Sequence, residues 1–138
     1  SISLKRSGRS LDRARKRLVR FLTDNDVTGD MQARMDLSVY EIVANIIEHA
    51  GKAFIDERIT VNGTVDRSAV IITVRYRGLE FDPTRAPLPD LKAHIASGKN
   101  GGLGIYITRK LVDRIEYSHE KGLNTITLAN SRTGATES

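Results

Sequence analysis

Leu37-Ser38-Val39-Tyr40-Glu41-Ile42-Val43-Ala44-Asn45-Ile46-Ile47-Glu48-His49-Ala50 is the stretch on which the fold of this chain turns. Its apolar residues, preceded by Met31 and Met35, return at helical spacing and form one broad face of Val39, Ile42, Val43, Ile46 and Ile47. The other face carries Glu41 and Asn45, one turn apart, with Glu48 and His49 on or beside that stripe. A carboxylate and an amide so placed both offer the hard oxygens that Mg2+ prefers. The carboxylate can also take a proton from an attacking hydroxyl or water. The same pattern describes the solvated side of an ordinary amphipathic helix, and a histidine at a helix end is commonly a cap. The helix is expected over residues 30–51, with Gly51 as its stop.

Toward the N-terminus, residues 1–5 alternate, with Ile2 and Leu4 on one side, and read as a short edge strand. Ser7-Gly8 breaks it. Ser10 is expected to cap a helix over residues 10–23, whose buried stripe is Leu11, Ala14, Leu18, Phe21 and Leu22. Arg13, Lys16, Arg17 and Arg20 form its exposed basic stripe.

Toward the C-terminus, residues 58–66 and 69–76 are β-rich. Two turns compete there. Asn62-Gly63 is a strong hairpin dipeptide, whereas Asp66-Arg67-Ser68 leaves two strands of matched length and is the one expected. Residues 78–102 are loop-like, with Pro83, Pro87, Pro89, Gly98, Gly101 and Gly102, and a short helix over residues 90–96 is expected to interrupt them. A loop of that length in a compact domain is usually functional or disordered. Lys99-Asn100-Gly101-Gly102-Leu103-Gly104 then opens a third helix over residues 103–113. Glycines let a ligand approach the backbone, and the free amides of a helix start suit phosphate. Lys99 adds a cation there or is a solvated loop lysine. A last hairpin joins residues 114–119 to residues 124–129 through Lys121-Gly122. Residues 1–130 are expected to form one domain and residues 131–138 a disordered tail.

The order is β-α-α-β-β-loop-α-β-β, an α+β, two-layer α/β sandwich. Its sheet is expected to be mixed and mostly antiparallel, with three helices on one face. The 138 residues, 39% hydrophobic and 28% charged, suit one globular domain. With no cysteine, disulfides and thiolate metal sites are excluded, and a reducing cytoplasm is compatible. No apolar run approaches the ~18 residues of a membrane span. A net charge of +5 favours anionic partners. The basic helix lacks interleaved aromatics, and with 5% aromatic residues overall the chain is poor in stacking platforms. Nucleic acid is therefore not the expected partner.

Taken together, these segments resemble the GHKL ATPase superfamily (the Bergerat fold), in its branch of anti-sigma-factor serine/threonine kinases. Residues 37–50 look like the N-box helix of that family. Gly101-Gly102-Leu103-Gly104-Ile105-Tyr106-Ile107-Thr108-Arg109-Lys110-Leu111-Val112-Asp113 looks like its glycine-rich lid motif, and Gly78-Leu79-Glu80-Phe81-Asp82-Pro83 like the end of its base motif. The resemblance implies that ATP and Mg2+ are bound, with Asn45 coordinating the metal and Glu41 as general base or water organiser. It implies nucleotide contacts at His49, Tyr76, Gly78, Lys99, Gly101, Gly102, Leu103 and Gly104. It also implies a cytoplasmic homodimer that phosphorylates a STAS-domain antagonist and sequesters a sigma factor. Arg15 stands where relatives carry a partner-contacting arginine, and is also one more arginine in a basic helix.

The sequence departs from the family at Tyr76, where an aspartate normally accepts a hydrogen bond from the adenine amino group, and at Glu80, where a small residue is usual. Two other readings follow. One is a pseudo-kinase that acts by protein binding alone; the other is the ATP-binding domain of a larger histidine-kinase-like regulator.

Overall fold

A computed structural model describes residues 1–49, 52–84 and 103–132. Strand β1 (Ile2–Leu4) leads to helices α1 (Gly8–Asp24) and α2 (Gly29–His49), then to a short 3-10 turn (Lys52–Phe54) that the sequence did not announce. Strands β2 (Ile59–Val65) and β3 (Ala69–Arg77) follow, then helix α3 (Leu103–Leu111) and strands β4 (Arg114–Glu120) and β5 (Leu123–Ser131).

The strands form one sheet in the order β1-β2-β3-β5-β4. Every pairing among them is antiparallel rather than mixed. Register explains the core. Val61 lies opposite Val74 and Val74 opposite Ile126, while Ile72 faces Leu128. Opposed residues share a sheet face, and all five of these are buried. Against that face pack Leu11, Leu18 and Leu22 of α1, Met35, Val39, Ile42 and Ile46 of α2, and Ile105 of α3. The other face, with Thr60, Thr73, Thr125 and Thr127, is only partly covered.

The β2–β3 turn falls at Asp66. Its Oδ1 accepts hydrogen bonds from the Ser68 amide (2.7 Å), the Ser68 hydroxyl (2.8 Å) and the Ala69 amide (2.9 Å). Those bonds hold its carboxyl below the usual range. Asn62-Gly63 stays inside β2 because the Phe21 ring lies on Gly63. A Cβ there would come within 2.6 Å of the ring.

Helix α1 starts earlier than expected. Ser7, not Ser10, is its cap: Ser7 is extended (φ −143°, ψ 154°) and its hydroxyl accepts from the Ser10 amide at 3.2 Å. Helix α2 is described to His49, and Gly51 lies outside the described residues. At the far end of α3, the Leu111 carbonyl accepts from Arg34 Nη1 (3.2 Å) and Asn130 Nδ2 (3.0 Å). Asn130 Oδ1 also accepts from the Asp113 amide at 2.7 Å. Strand β5 runs to Ser131, whose amide donates to Asp113, so the tail cannot begin there. Arg132 is likewise tied, its amide donating to the Ser68 carbonyl at 2.8 Å. Residues 133–138 lie outside the described residues.

Candidate functional site

The polar stripe of α2 lies beside the first turn of α3. A Cβ built on Gly104 would overlap Glu41 Oε2 and come within 3.4 Å of Glu41 Cβ. The glycine thus leaves the place of a side chain to the Glu41 carboxylate. One turn further on, Asn45 and then His49 line a cavity of about 140 Å3 with Ile46, Tyr76, Leu79, Glu80 and Phe81. Glu41 is half-buried, and no hydrogen bond reaches its carboxylate among the described residues. Desolvation raises its pKa, and the positive charge of Arg15 works in the opposite sense. A carboxylate made more basic and left with open lone pairs suits proton abstraction or a cation.

The cavity floor is built by strands at the sheet end. Gly78 follows β3 and is buried. Asn124 of β5 donates through Nδ2 to the carbonyls of Gly78 (3.2 Å), Leu79 (3.4 Å) and Tyr76 (3.5 Å). The Tyr117 hydroxyl of β4 donates to Asn124 Oδ1 and accepts from the Phe81 amide at 3.1 Å. Arg6, buried between β1 and α1, donates through Nε to the Glu57 carbonyl (2.8 Å) and through Nη2 to the Arg77 carbonyl. Burial lowers its pKa. These residues position residues 76–81, and sequence reasoning missed them. A signal was present: Asn124 and Asn130 bracket Ile126 and Leu128 on the inward period of β5, so two amides stand at core positions where each must find partners.

Tyr76 is 2% exposed and belongs to the core. Burial raises its pKa far above the ordinary phenol value, so it is a neutral hydroxyl, not an anion. Arg15 is engaged. Its Nε and Nη2 donate to Asp36 at 3.1 and 2.9 Å, and its guanidinium stacks on Tyr40 at 4.5 Å.

Glu41, Asn45, His49, Tyr76, Gly78 and Gly104 are thus brought to one region, with Arg15 on the neighbouring side of α2. Lys99, Gly101 and Gly102 lie outside the described residues, as does the short helix expected over residues 90–96. Leu103 opens α3. Among the described residues no cluster of three acidic, histidine or cysteine side chains could hold a metal by itself. No helix among them is long and apolar enough to cross a membrane.

The family model of the histidine kinase-like ATPase domain matches residues 5–130. Serine-protein kinase RsbW of Bacillus cereus, strains AH187 and Q1, is 25% identical over 95 residues. That match covers 67% of this chain and 59% of the relative's length. Among solved structures, the histidine kinase domain of a blue-light activated histidine kinase from Erythrobacter litoralis aligns with a TM-score of 0.58 at 15% identity. The alignment covers 94% of this chain and 63% of that one. Histidine kinase AdeS of Acinetobacter baumannii aligns with a TM-score of 0.53 at 14% identity, over 87% of this chain and 64% of its own. At these identities the likeness is one of fold.

Proposed function

The chain belongs to the family of histidine kinase-like ATPase domains, within the GHKL superfamily, and from that premise we propose that it is an anti-sigma-factor serine kinase. It would bind Mg-ATP between α2 and α3, phosphorylate a serine of a STAS-domain antagonist, and sequester a sigma factor as a cytoplasmic homodimer. The observation that carries this reading is the meeting of Glu41 with Gly104 one helical turn from Asn45, which lines the cavity. The serine-protein kinase name of the RsbW relatives supports the choice of reaction.

The residues fit the phosphate end of the ligand. The Asn45 side-chain oxygen is a hard donor for Mg2+, with phosphate oxygens to complete the shell. The first turn of α3 has amides without an intrahelical partner, which suit an anion. Glu41 takes the proton of the incoming serine hydroxyl, a role its raised pKa favours. Bound ATP supplies the phosphoryl group. Gly78 would let the base meet the backbone, and His49 lines the cavity beside Leu79.

The base end fits less well. Tyr76 presents a neutral hydroxyl where relatives present a carboxylate, and losing a charged partner costs about 1.5–3 kcal/mol. Its burial in the core favours a second reading, a pseudo-kinase that binds partners without transfer. Incubation with Mg-ATP and a STAS-domain protein separates the two. The kinase reading expects phosphoserine on that protein and none with Asn45→Ala. A stable complex without transfer, together with no heat of ATP binding in calorimetry, rejects it in favour of the second.

A further inference from the structure

A cavity of about 280 Å3 opens between β1 and α1 and shares no lining residue with the cleft at Asn45. One wall is formed by residues 2–5. The other is Arg13, Ala14 and Arg17 of α1, with Arg58 on the rim. β1 is the end strand of the sheet and pairs with β2 alone among the described strands. Arg58 lies along it: Nε donates to Ser3 Oγ (2.7 Å) and Nη2 to the Ser3 carbonyl (3.1 Å).

Lys5, Arg13, Arg17 and Arg58 line this cavity, and none of its described lining residues is acidic. All four are exposed, and none is ion-paired among the described residues. Cations on an end strand commonly serve only to discourage edge-to-edge pairing. That accounts for Lys5 and Arg58. It does not account for Arg13 and Arg17, which come from a different element, sit one turn apart and line the same cavity.

The geometry points to a docking site for an extended acidic segment of a partner protein, added as a strand beside β1 with its carboxylates against Arg13, Arg17, Lys5 and Arg58. In strand addition, main-chain bonds set the register and alternate side chains give specificity. The Ser3 carbonyl, held by Arg58 in the free chain, is an acceptor the incoming strand takes over. Nucleic acid would meet the same charges but gains nothing from a strand edge, and no aromatic ring lines the cavity for a base to stack on.

The site is tested with a fluorescein-labelled peptide of alternating glutamate and valine, titrated with the full chain and read by polarisation. Saturable binding is expected, weakened at least tenfold by Arg13→Glu with Arg17→Glu, a pair of exposed positions that should leave the circular dichroism spectrum and Tm unchanged. Should that variant lose its fold, Arg13→Gln with Arg17→Gln carries the same test. A peptide of the same sequence N-methylated at every backbone amide, which cannot donate to a ladder, is expected to bind at least tenfold more weakly. Equal affinity for the N-methylated peptide, or for a single-stranded oligonucleotide of equal charge, would reduce the effect to charge attraction and overturn the proposal. Undiminished binding to the folded double variant would overturn it as well. So would a dimer in sedimentation that the double variant dissolves, since the groove would then belong to a second copy of the chain.

Discussion

The Glu41 carboxylate rests against Gly104, so the acid of α2 and the opening turn of α3 touch with no side chain between them. Gly104→Ala places a methyl group where Oε2 now lies. The variant is expected to displace the Glu41 carboxylate at a cost of about 1 kcal/mol or less, because the flexible end of a side chain gives way more easily than packed core. Chemical denaturation gives the first number. On the proposed function, ATP affinity in calorimetry falls with it, and Glu41→Ala in the same background restores the stability.

Glu41 also sets a pH dependence. Desolvation raises its folded pKa above the ordinary 4.5. A carboxyl shifted in that direction contributes stability that is fully present below its unfolded pKa and is lost as pH rises through the folded pKa. Glu41→Gln, which cannot ionise, is therefore expected to match wild type near pH 3 and to be relatively more stable at pH 7. Denaturation midpoints at the two pH values check the sign. A variant that is less stable at pH 7 by the same margin as at pH 3 would contradict it.

Tyr76→Asp restores a charged acceptor at the base end. ATP affinity is expected to rise by roughly ten- to a hundredfold, the equivalent of a charge-assisted bond. Stability is expected to fall by about 3–5 kcal/mol, because an aromatic side chain leaves the core. Calorimetry and denaturation, run on the same preparation, report both. Lower stability without any gain in affinity would show that the base does not reach this position.

Asn124→Ala removes the donor shared by three carbonyls and the acceptor for Tyr117. A loss of about 1–3 kcal/mol is expected for the groups left unpaired. Hydrogen exchange should accelerate at the Phe81 amide more than at Val74. Uniform acceleration across the sheet would mean that Asn124 supports the fold and not the loop in particular.

Much of the architecture was legible because the signals were periodic. Alternation in residues 69–76 and the 3.6-residue stripe of α2 each had one way to bury their apolar side. Asn62-Gly63 misleads locally because its turn preference is weaker than the tertiary demand for a bare backbone under Phe21. Ser7 and Ser10 both lie close to the apolar stripe of α1, and only backbone dihedrals single out Ser7 as its cap. At the site, Glu41, Asn45 and Gly104 were visible as a spacing, while Arg6 and Tyr117 were not. Arg6 bonds carbonyls 51 and 71 residues away and Tyr117 an amide 36 residues away, and no local pattern encodes such pairs.

The anchoring of α3 has a mechanical consequence. Its rear end is fastened by Arg34 and Asn130 at Leu111, whereas its front end meets α2 through the bare backbone of Gly104. A nine-residue helix is a stiff rod about 13 Å long. Pivoted at the rear, it converts a small tilt at Leu111 into a much larger sweep at its tip, so a single substitution under the pivot, at Arg34 or Asn130, would retune the spacing of a cleft it never touches.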